Sequence, residues 1–362
     1  MVKILNKLQS NLAFIPVPGN ISYFYNFGSI LLTCLTIQIV TGLILSMHYS
    51  PGVNNSFESV ELIMKDVSGG WLTRMIHANG ASFFFISIYI HVARGLFFGS
   101  FMNLGVWMTG CFMMILFMMT AFLGYVLPWG QMSYWGATVI TNLISVIPFL
   151  GEKGVQWLWG GFSVSSPTLS RFFTLHFMIP LITVGFVMGH LSFLHHTQSS
   201  NPLGLSPKAN SVCFHPYFSI KDVLGLILFT MMLSWLVISH PYIFMDSDNF
   251  MIANPMSTPP HIQPEWYFLF AYSILRAIPS KLGGVVALIS SIGILFTLPA
   301  MSSGLGSKLS RFKFTRKVVF TILVTDFIFL TWLGCQPVEP PFVSLSQFAT
   351  WTYFISILLL CI

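Results

Sequence analysis

Residues 77–91 read HANGASFFFISIYIH, an apolar stretch with a histidine at each end. Residues 176–190, HFMIPLITVGFVMGH, repeat the same interval of 14 residues between two histidines. In an α-helix, 14 residues rise about 21 Å and return to within roughly 40° of the same face. Each stretch therefore places two imidazoles on one side of a helix, at two depths.

The sequence around these stretches has the composition of a membrane protein. Of its 362 residues, 55% are hydrophobic and only 7% are charged, whereas a soluble domain carries about 25% charged residues. This excludes an ordinary soluble fold and a disordered chain. Because a helix that crosses a bilayer needs about 20 mainly apolar residues, we predict an all-α integral membrane protein with eight transmembrane helices. The predicted spans are 27–48, 71–98, 106–127, 168–196, 223–240, 282–302, 318–335 and 342–362.

The charged residues are distributed unevenly between the two sides of these spans. Ten lysines and arginines, with Asp222 as the only acid, fall on the side of both termini, whereas six bases and eight acids fall on the other side. The positive-inside rule then places both termini in the cytoplasm-equivalent compartment, which we call inside. The net charge of +6 is explained in this way without a nucleic-acid partner. Two long outer loops, 128–167 and 241–281, are rich in Trp or Pro and are expected to be functional.

The second and fourth spans run in the same direction because the third lies between them. His77 should therefore meet His176 near the outer side, and His91 should meet His190 near the inner side. A lone intramembrane histidine usually makes an interhelical hydrogen bond. Four in register suit two haem irons that are each closed by two imidazoles. The cysteines show no CxxC or CxxCH pattern, so thiolate metal sites and c-type haem attachment find no support.

The first and third spans carry glycines at the same 14-residue interval. These glycines are Gly28, Gly42, Gly110 and Gly124. Small residues alone indicate close helix packing, but the matched interval favours missing side chains where a flat macrocycle lies between helices. We predict that spans one to four form a four-helix bundle that holds two haems.

Three charged residues are further candidates. Arg74 and Arg94 lie three residues beyond the two histidines of the second span; they can snorkel to the membrane surfaces and can also pair with haem propionates. Glu265 lies in an aromatic and proline-rich stretch, where burial raises the pKa of a carboxyl and suits it to proton transfer. A solvated loop acid is the alternative for Glu265.

Four motifs, in this order along the chain, resemble those of the cytochrome b family: residues 77–82 (HANGAS), 124–133 (GYVLPWGQMS), 159–162 (WGGF) and 264–267 (PEWY). The resemblance runs from about residue 26 to the C-terminus. The N-terminus matches poorly, and His196 follows His195 where relatives often carry an acid. One continuous chain with equal histidine spacing is more similar to the mitochondrial and bacterial forms than to the split plastid form.

The resemblance implies a set of functional residues. His77 and His176 match the axial ligands of a low-potential haem b, and His91 and His190 match those of a high-potential haem b, both non-covalent. Arg74, Arg94 and Trp107 match propionate and edge contacts, and the four glycines match the haem-packing glycines. Glu265 and Tyr272, with the backbone around Gly136 and Ile140, match an outer quinol oxidation site. His195, Ser199, Asp222 and Asn26, with Lys221 nearby, match an inner quinone reduction site; by themselves these inner residues indicate only a loop salt bridge.

The activity implied is that of a respiratory quinol:cytochrome c oxidoreductase, complex III. Ubiquinol oxidised outside would send one electron to a Rieske iron–sulfur protein and the other through the low-potential and high-potential haems to ubiquinone inside, with proton translocation. A cytochrome c1-type subunit and other subunits in a dimeric complex are the implied partners, and the mitochondrial inner membrane, with both termini on the matrix side, is the implied location. We expect residues 1–210 to form the di-haem bundle region and residues 211–362 a C-terminal four-helix region.

Two other functions remain open from the residues. A two-haem membrane anchor of a dehydrogenase would have one quinone site, and the long outer loops argue against it. A secondary transporter would show inverted repeats and broken helices, which the sequence does not display. Asp326, inside the seventh span, has no role that the sequence suggests.

Overall fold

The computed structural model describes residues 15–204, 210–302 and 314–361. Its helices are α1 (Phe27–Ser46), α2 (Ser56–Lys65), α3 (Gly70–Phe98), α4 (Leu104–Val126), α5 (Gln131–Thr141), α6 (Gly151–Trp159), α7 (Ser166–Thr197), α8 (Tyr217–Ser239), α9 (Leu269–Ala277), α10 (Lys281–Ser302), α11 (Phe314–Gly334) and α12 (Phe342–Leu359). Two short strands, β1 (Pro16–Pro18) and β2 (Ser211–Cys213), pair antiparallel. Six of the bases used to orient the chain lie outside the described residues, namely Lys3, Lys7, Lys208, Lys308, Arg311 and Lys313.

Within the described ranges, eight helices are long and apolar enough to cross a bilayer: α1, α3, α4, α7, α8, α10, α11 and α12. The prediction of an all-α, eight-span membrane protein is confirmed. A helix suits the bilayer because it satisfies its own backbone hydrogen bonds. The fifth span begins six residues earlier than predicted, at Tyr217 rather than at Val223. The charges of Lys221 and Asp222 lower the hydropathy of the first part of this helix, so the sequence pattern does not show that it is helical. In the structure Lys221 donates from its ammonium group to the carbonyl of Ile21 (2.7 Å).

The first four spans form the predicted four-helix bundle. The helices pack in two neighbouring pairs, α1 against α3 and α4 against α7, and α1 also contacts α7. Helix α8 packs against α1 and α3. The fifth span is thus associated with the bundle, although it follows residue 210 in sequence.

The remaining helices form a second packed group around α9. This short outer helix contacts α10, α11 and α12. Aromatic side chains join the group to α3 of the bundle: the rings of Phe85 and Tyr267 stack at 4.2 Å, and the indole N–H of Trp266 donates to the hydroxyl of Ser82 (3.0 Å). The segment around Glu265 is thereby attached to the helix that carries His77 and His91.

The two long outer loops are hydrogen bonded to each other at residues 129–131 and 251–253. The backbone N–H of Gln131 donates to the carbonyl of Met251 (3.0 Å), and that of Ala253 donates to the carbonyl of Trp129 (3.1 Å). Loops that are more than 100 residues apart in sequence therefore form one outer surface layer.

Candidate functional site

The outer histidine pair faces across the bundle. The ring centroids of His77 on α3 and His176 on α7 lie 6.2 Å apart, with ring planes at 81°. An imidazole–metal bond is about 2 Å long, so two rings that ligate one metal ion from opposite sides have centres roughly 6 Å apart. The distance between these two rings fits a single iron between them.

The Nδ1 atoms of three of the four histidines are held by hydrogen bonds. Nδ1 of His176 lies 2.8 Å from the carbonyl oxygen of Thr120, to which it can only donate. The hydroxyls of Thr41 and Thr109 donate to backbone carbonyls one turn earlier, which leaves their oxygens to accept from His77 Nδ1 (2.9 Å) and His190 Nδ1 (3.0 Å). A proton on Nδ1 leaves the Nε2 lone pair for a metal, as is usual for ligating histidines.

Each of the four predicted glycines lies against one of the four histidines. An added Cβ would lie 3.0 Å from Cε1 of His77 at Gly42, 3.3 Å from Cε1 of His190 at Gly110, and 3.8 Å from Cε1 of His91 at Gly28. At Gly124 it would lie 2.8 Å from His176 Nδ1 and closer still to Cε1. The missing side chains thus leave room for the imidazole rings; that they also leave room for the edge of a macrocycle stays a prediction.

Substitution of Gly124 by alanine should therefore weaken the haem site that is predicted between His77 and His176. Overpacking of about 1–3 kcal/mol corresponds to a loss of roughly 5- to 150-fold in affinity. Haem content of the purified protein, measured from its reduced-minus-oxidised spectrum, checks this. Gly185→Ala on α7 is the matched control, because nothing lies within 4 Å of its added Cβ; equal haem loss in both variants would contradict the role of Gly124.

The inner pair, His91 and His190, lines a cavity of about 1640 Å³. A pocket for a single small ligand is about 300–1,000 Å³, so this cavity has room for more than one. Arg94 lines it too, with one guanidinium nitrogen 3.4 Å from His91 Nδ1. In the described part of the chain, the buried Nε of Arg94 has no hydrogen-bond partner, and a carboxylate such as a propionate would satisfy it. Trp107 lines the cavity with its ring only, because its N–H donates to the carbonyl of Leu295 (2.7 Å).

Most of the residues predicted to contact quinone on the inner side line the same cavity. Asn26, His195, Ser199 and Asp222 all line it. Lys221 does not, since its ammonium group is bonded to the carbonyl of Ile21. The amide of Asn26 donates to the carbonyl of Lys221 (2.8 Å), so the backbone of Lys221 holds the side chain of Asn26 at the wall of the cavity.

On the outer side, Glu265 lies between two cavities. The first is a narrow pocket of about 20 Å³ that it lines together with Gly136, Ile140 and Tyr272. The second, of about 510 Å³, contains His77, His176 and Arg74. Glu265 and Tyr125 line both cavities. A carboxyl in this position can receive a proton from a molecule in the narrow pocket and release it on the side of the histidines.

The protonation of Glu265 is suited to this exchange. Burial and, to a smaller extent, the negative charge of Asp246 raise the pKa of Glu265 to about 8, against the lowering effect of Arg74. Near neutral pH the carboxyl is thus close to the midpoint at which a group both accepts and donates protons efficiently.

Some residues of the site were not identified from the sequence. Thr41 and Thr109 each precede a glycine that contacts a histidine, and this repeated Thr-Gly dipeptide was a signal that could have identified them. Tyr125 lies within the motif at residues 124–133, but the motif did not indicate a role for it, and Asp246 carried no signal. Their positions depend on how the outer loops fold together.

Comparison with known proteins agrees with this geometry. Residues 12–198 match the family model described as Cytochrome b/b6/petB, and residues 252–354 match the model described as Cytochrome b(C-terminal)/b6/petD. A solved structure described as "Hyperthermophilic respiratory Complex III" superposes with a TM-score of 0.92 and 32% sequence identity, over 98% of this chain and 94% of that one. Haem b binding follows from the family. The chain is a multi-pass membrane protein that belongs to the cytochrome b family.

Proposed function

We propose that this chain is the haem-bearing subunit of a respiratory quinol:cytochrome c oxidoreductase, which oxidises quinol outside and reduces quinone inside. The observation that carries the proposal is the position of Glu265, between a pocket lined by Tyr272 and a cavity that contains His77 and His176. A second histidine pair opens into an inner cavity with His195 and Asp222. The two-haem anchor of a dehydrogenase would need only one of these two sites.

At the outer site, the residues of the chain bind quinol and remove its protons. The quinol ring would bind among Gly136, Ile140 and Tyr272, and the pocket of about 20 Å³ between them, which has room for about one water, must widen to admit it. Glu265, as carboxylate, accepts a hydroxyl proton; Asp246, whose charge acts on it, assists release of that proton outside. Removal of the proton makes the ring easier to oxidise.

His77 and His176 would hold the outer haem, and His91 and His190 the inner one. When bound, these two haems b supply one-electron transfer across the membrane, so that the two electrons of ubiquinol can take separate routes, one of them to an iron–sulfur partner. Arg74 and Arg94 supply positive charge for the haem carboxylates. At the inner site His195 and Asp222 donate protons to ubiquinone.

Assembly and location form the rest of the proposal. The partners are a Rieske iron–sulfur protein, a cytochrome c1-type subunit and further subunits of a dimeric complex III; the structural match to a respiratory complex III supports this. The location is the mitochondrial inner membrane, with both termini on the matrix side, in line with the basic inner loops. Residues 1–210 carry the haem sites, and residues 211–362 complete both quinone sites.

The test is electron transfer from ubiquinol to cytochrome c by the native complex. We expect turnover that is accompanied by proton release outside, and a reduced-minus-oxidised haem spectrum with two components of different potential. A complex that lacks haem absorbance would refute the redox function, and one that oxidises quinol without reducing cytochrome c would favour the dehydrogenase anchor.

A further inference from the structure

Arg276 is a half-buried cation of the outer region that the mechanism above does not use. It lies on α9, four residues after Tyr272, so both side chains project from the same face of the helix. The guanidinium carbon lies 4.6 Å from the centre of the Tyr272 ring. This is a cation–π contact, whose strength increases when water is excluded from it.

The guanidinium group is also anchored to the end of a transmembrane helix. One terminal nitrogen donates to the carbonyls of Leu333 (3.0 Å) and Gly334 (2.9 Å). These carbonyls belong to the last turn of α11, where the helix dipole favours a positive charge; the carbonyl of Leu333 also accepts from the backbone N–H of Gln336 (3.0 Å).

Helices α9 and α11 approach each other closely beside the guanidinium group. A Cβ added to Gly334 would lie 2.5 Å from the carbonyl oxygen of Leu269 and 2.8 Å from its Cβ. The two helices therefore touch through backbone at the site where the guanidinium group lies. Any side chain at position 334 would push α9 and α11 apart.

Tyr272 is held at its other end by the segment that leads to Glu265. Its hydroxyl donates to the carbonyl of Ile262 (3.0 Å), three residues before Glu265 in sequence. The ring is thus fixed between this hydrogen bond and the guanidinium group. Burial raises the pKa of the Tyr272 phenol, and the charge of Arg276 limits the rise.

We infer that Arg276 is a positioning residue of the outer quinol site, which holds Tyr272 against the pocket by clamping it to the end of α11. The inference rests on the proposed quinol oxidation at this pocket and goes beyond it, since Arg276 does not line the pocket itself. A purely structural arginine would stabilise the fold without this specific link to Tyr272.

A double-mutant cycle on the intact complex distinguishes the two roles. At equal haem content, Arg276→Gln should lower kcat/KM for ubiquinol by about 5- to 30-fold, the range between an exposed and a desolvated cation–π contact. In a Tyr272→Leu background the same substitution should have almost no further effect, because the ring that it positions is gone. Arg276→Lys, which keeps the charge and a hydrogen-bonding group but loses the planar guanidinium, should recover part of the loss.

Arg171→Gln is the matched control. Arg171 lies on the outer side as well and donates to two backbone carbonyls, those of Trp157 and Leu158, but it does not line the quinol pocket. Its substitution should leave kcat/KM unchanged.

Additive losses in the cycle, or unchanged kcat/KM in Arg276→Gln, would overturn the inference. If Arg276→Gln does not assemble, the cycle is carried by Arg276→Lys, with the same criterion of additivity. An unmodified complex that does not oxidise quinol would refute the proposed function itself, so the two failures are distinguishable.

Discussion

Replacement of His77 by alanine is expected to abolish quinol-dependent reduction of cytochrome c and to remove one of two haem components. The imidazole of His77 pairs with that of His176 across 6.2 Å, and alanine offers no ligand. His91→Ala should remove the other component, because His91 belongs to the separate inner cavity. Redox titration of the haem spectrum in membranes measures both components.

The contrast between the two variants tests the pairing by depth. His240→Ala is the control: this histidine lies at the end of α8 against Trp235, with ring centroids 5.6 Å apart, away from both cavities. It should leave both components in place. If His77→Ala and His91→Ala each erased both components equally, the haems would not occupy independent sites at two depths.

Replacement of Glu265 by glutamine should lower quinol oxidation by about 100-fold or more, the usual contribution of a positioned proton acceptor. Glutamine has nearly the same shape but cannot take a proton. Haem content should not change, since Glu265 lines the outer histidine cavity but is not one of the two histidines expected to ligate the iron. Stopped-flow reduction of the complex by ubiquinol measures the rate.

The pH dependence sharpens this prediction. Because the pKa of Glu265 is raised to about 8, the accepting carboxylate is the minor form at pH 7, about one tenth of the molecules, and the major form at pH 9. The unmodified complex should therefore speed up as pH rises through 8, whereas Glu265→Gln should lack this limb. Glu152→Gln, at an exposed acid of α6, should behave as the unmodified complex; loss of the limb there would contradict the assignment to Glu265.

The membrane-spanning architecture could be predicted because its signals are local. Apolar stretches of span length mark each helix, and the 14-residue intervals alone determine which face of a helix carries a histidine. The boundary at Tyr217 was placed too late because charged residues near a helix end look like a loop in a hydropathy pattern. The position of the fifth span beside α1 and α3 has no local signal at all.

Helix periodicity and bilayer thickness leave little freedom, so local sequence is enough to predict the eight-span helical fold, the four histidines at two depths and the glycines at the same intervals. Three features became visible only in the folded chain: the glycines face imidazole rings, Glu265 separates two cavities, and Arg276 joins Tyr272 to the end of α11. These contacts join residues that lie far apart in sequence or on different loops. Their geometry follows from packing between elements, which no local pattern encodes.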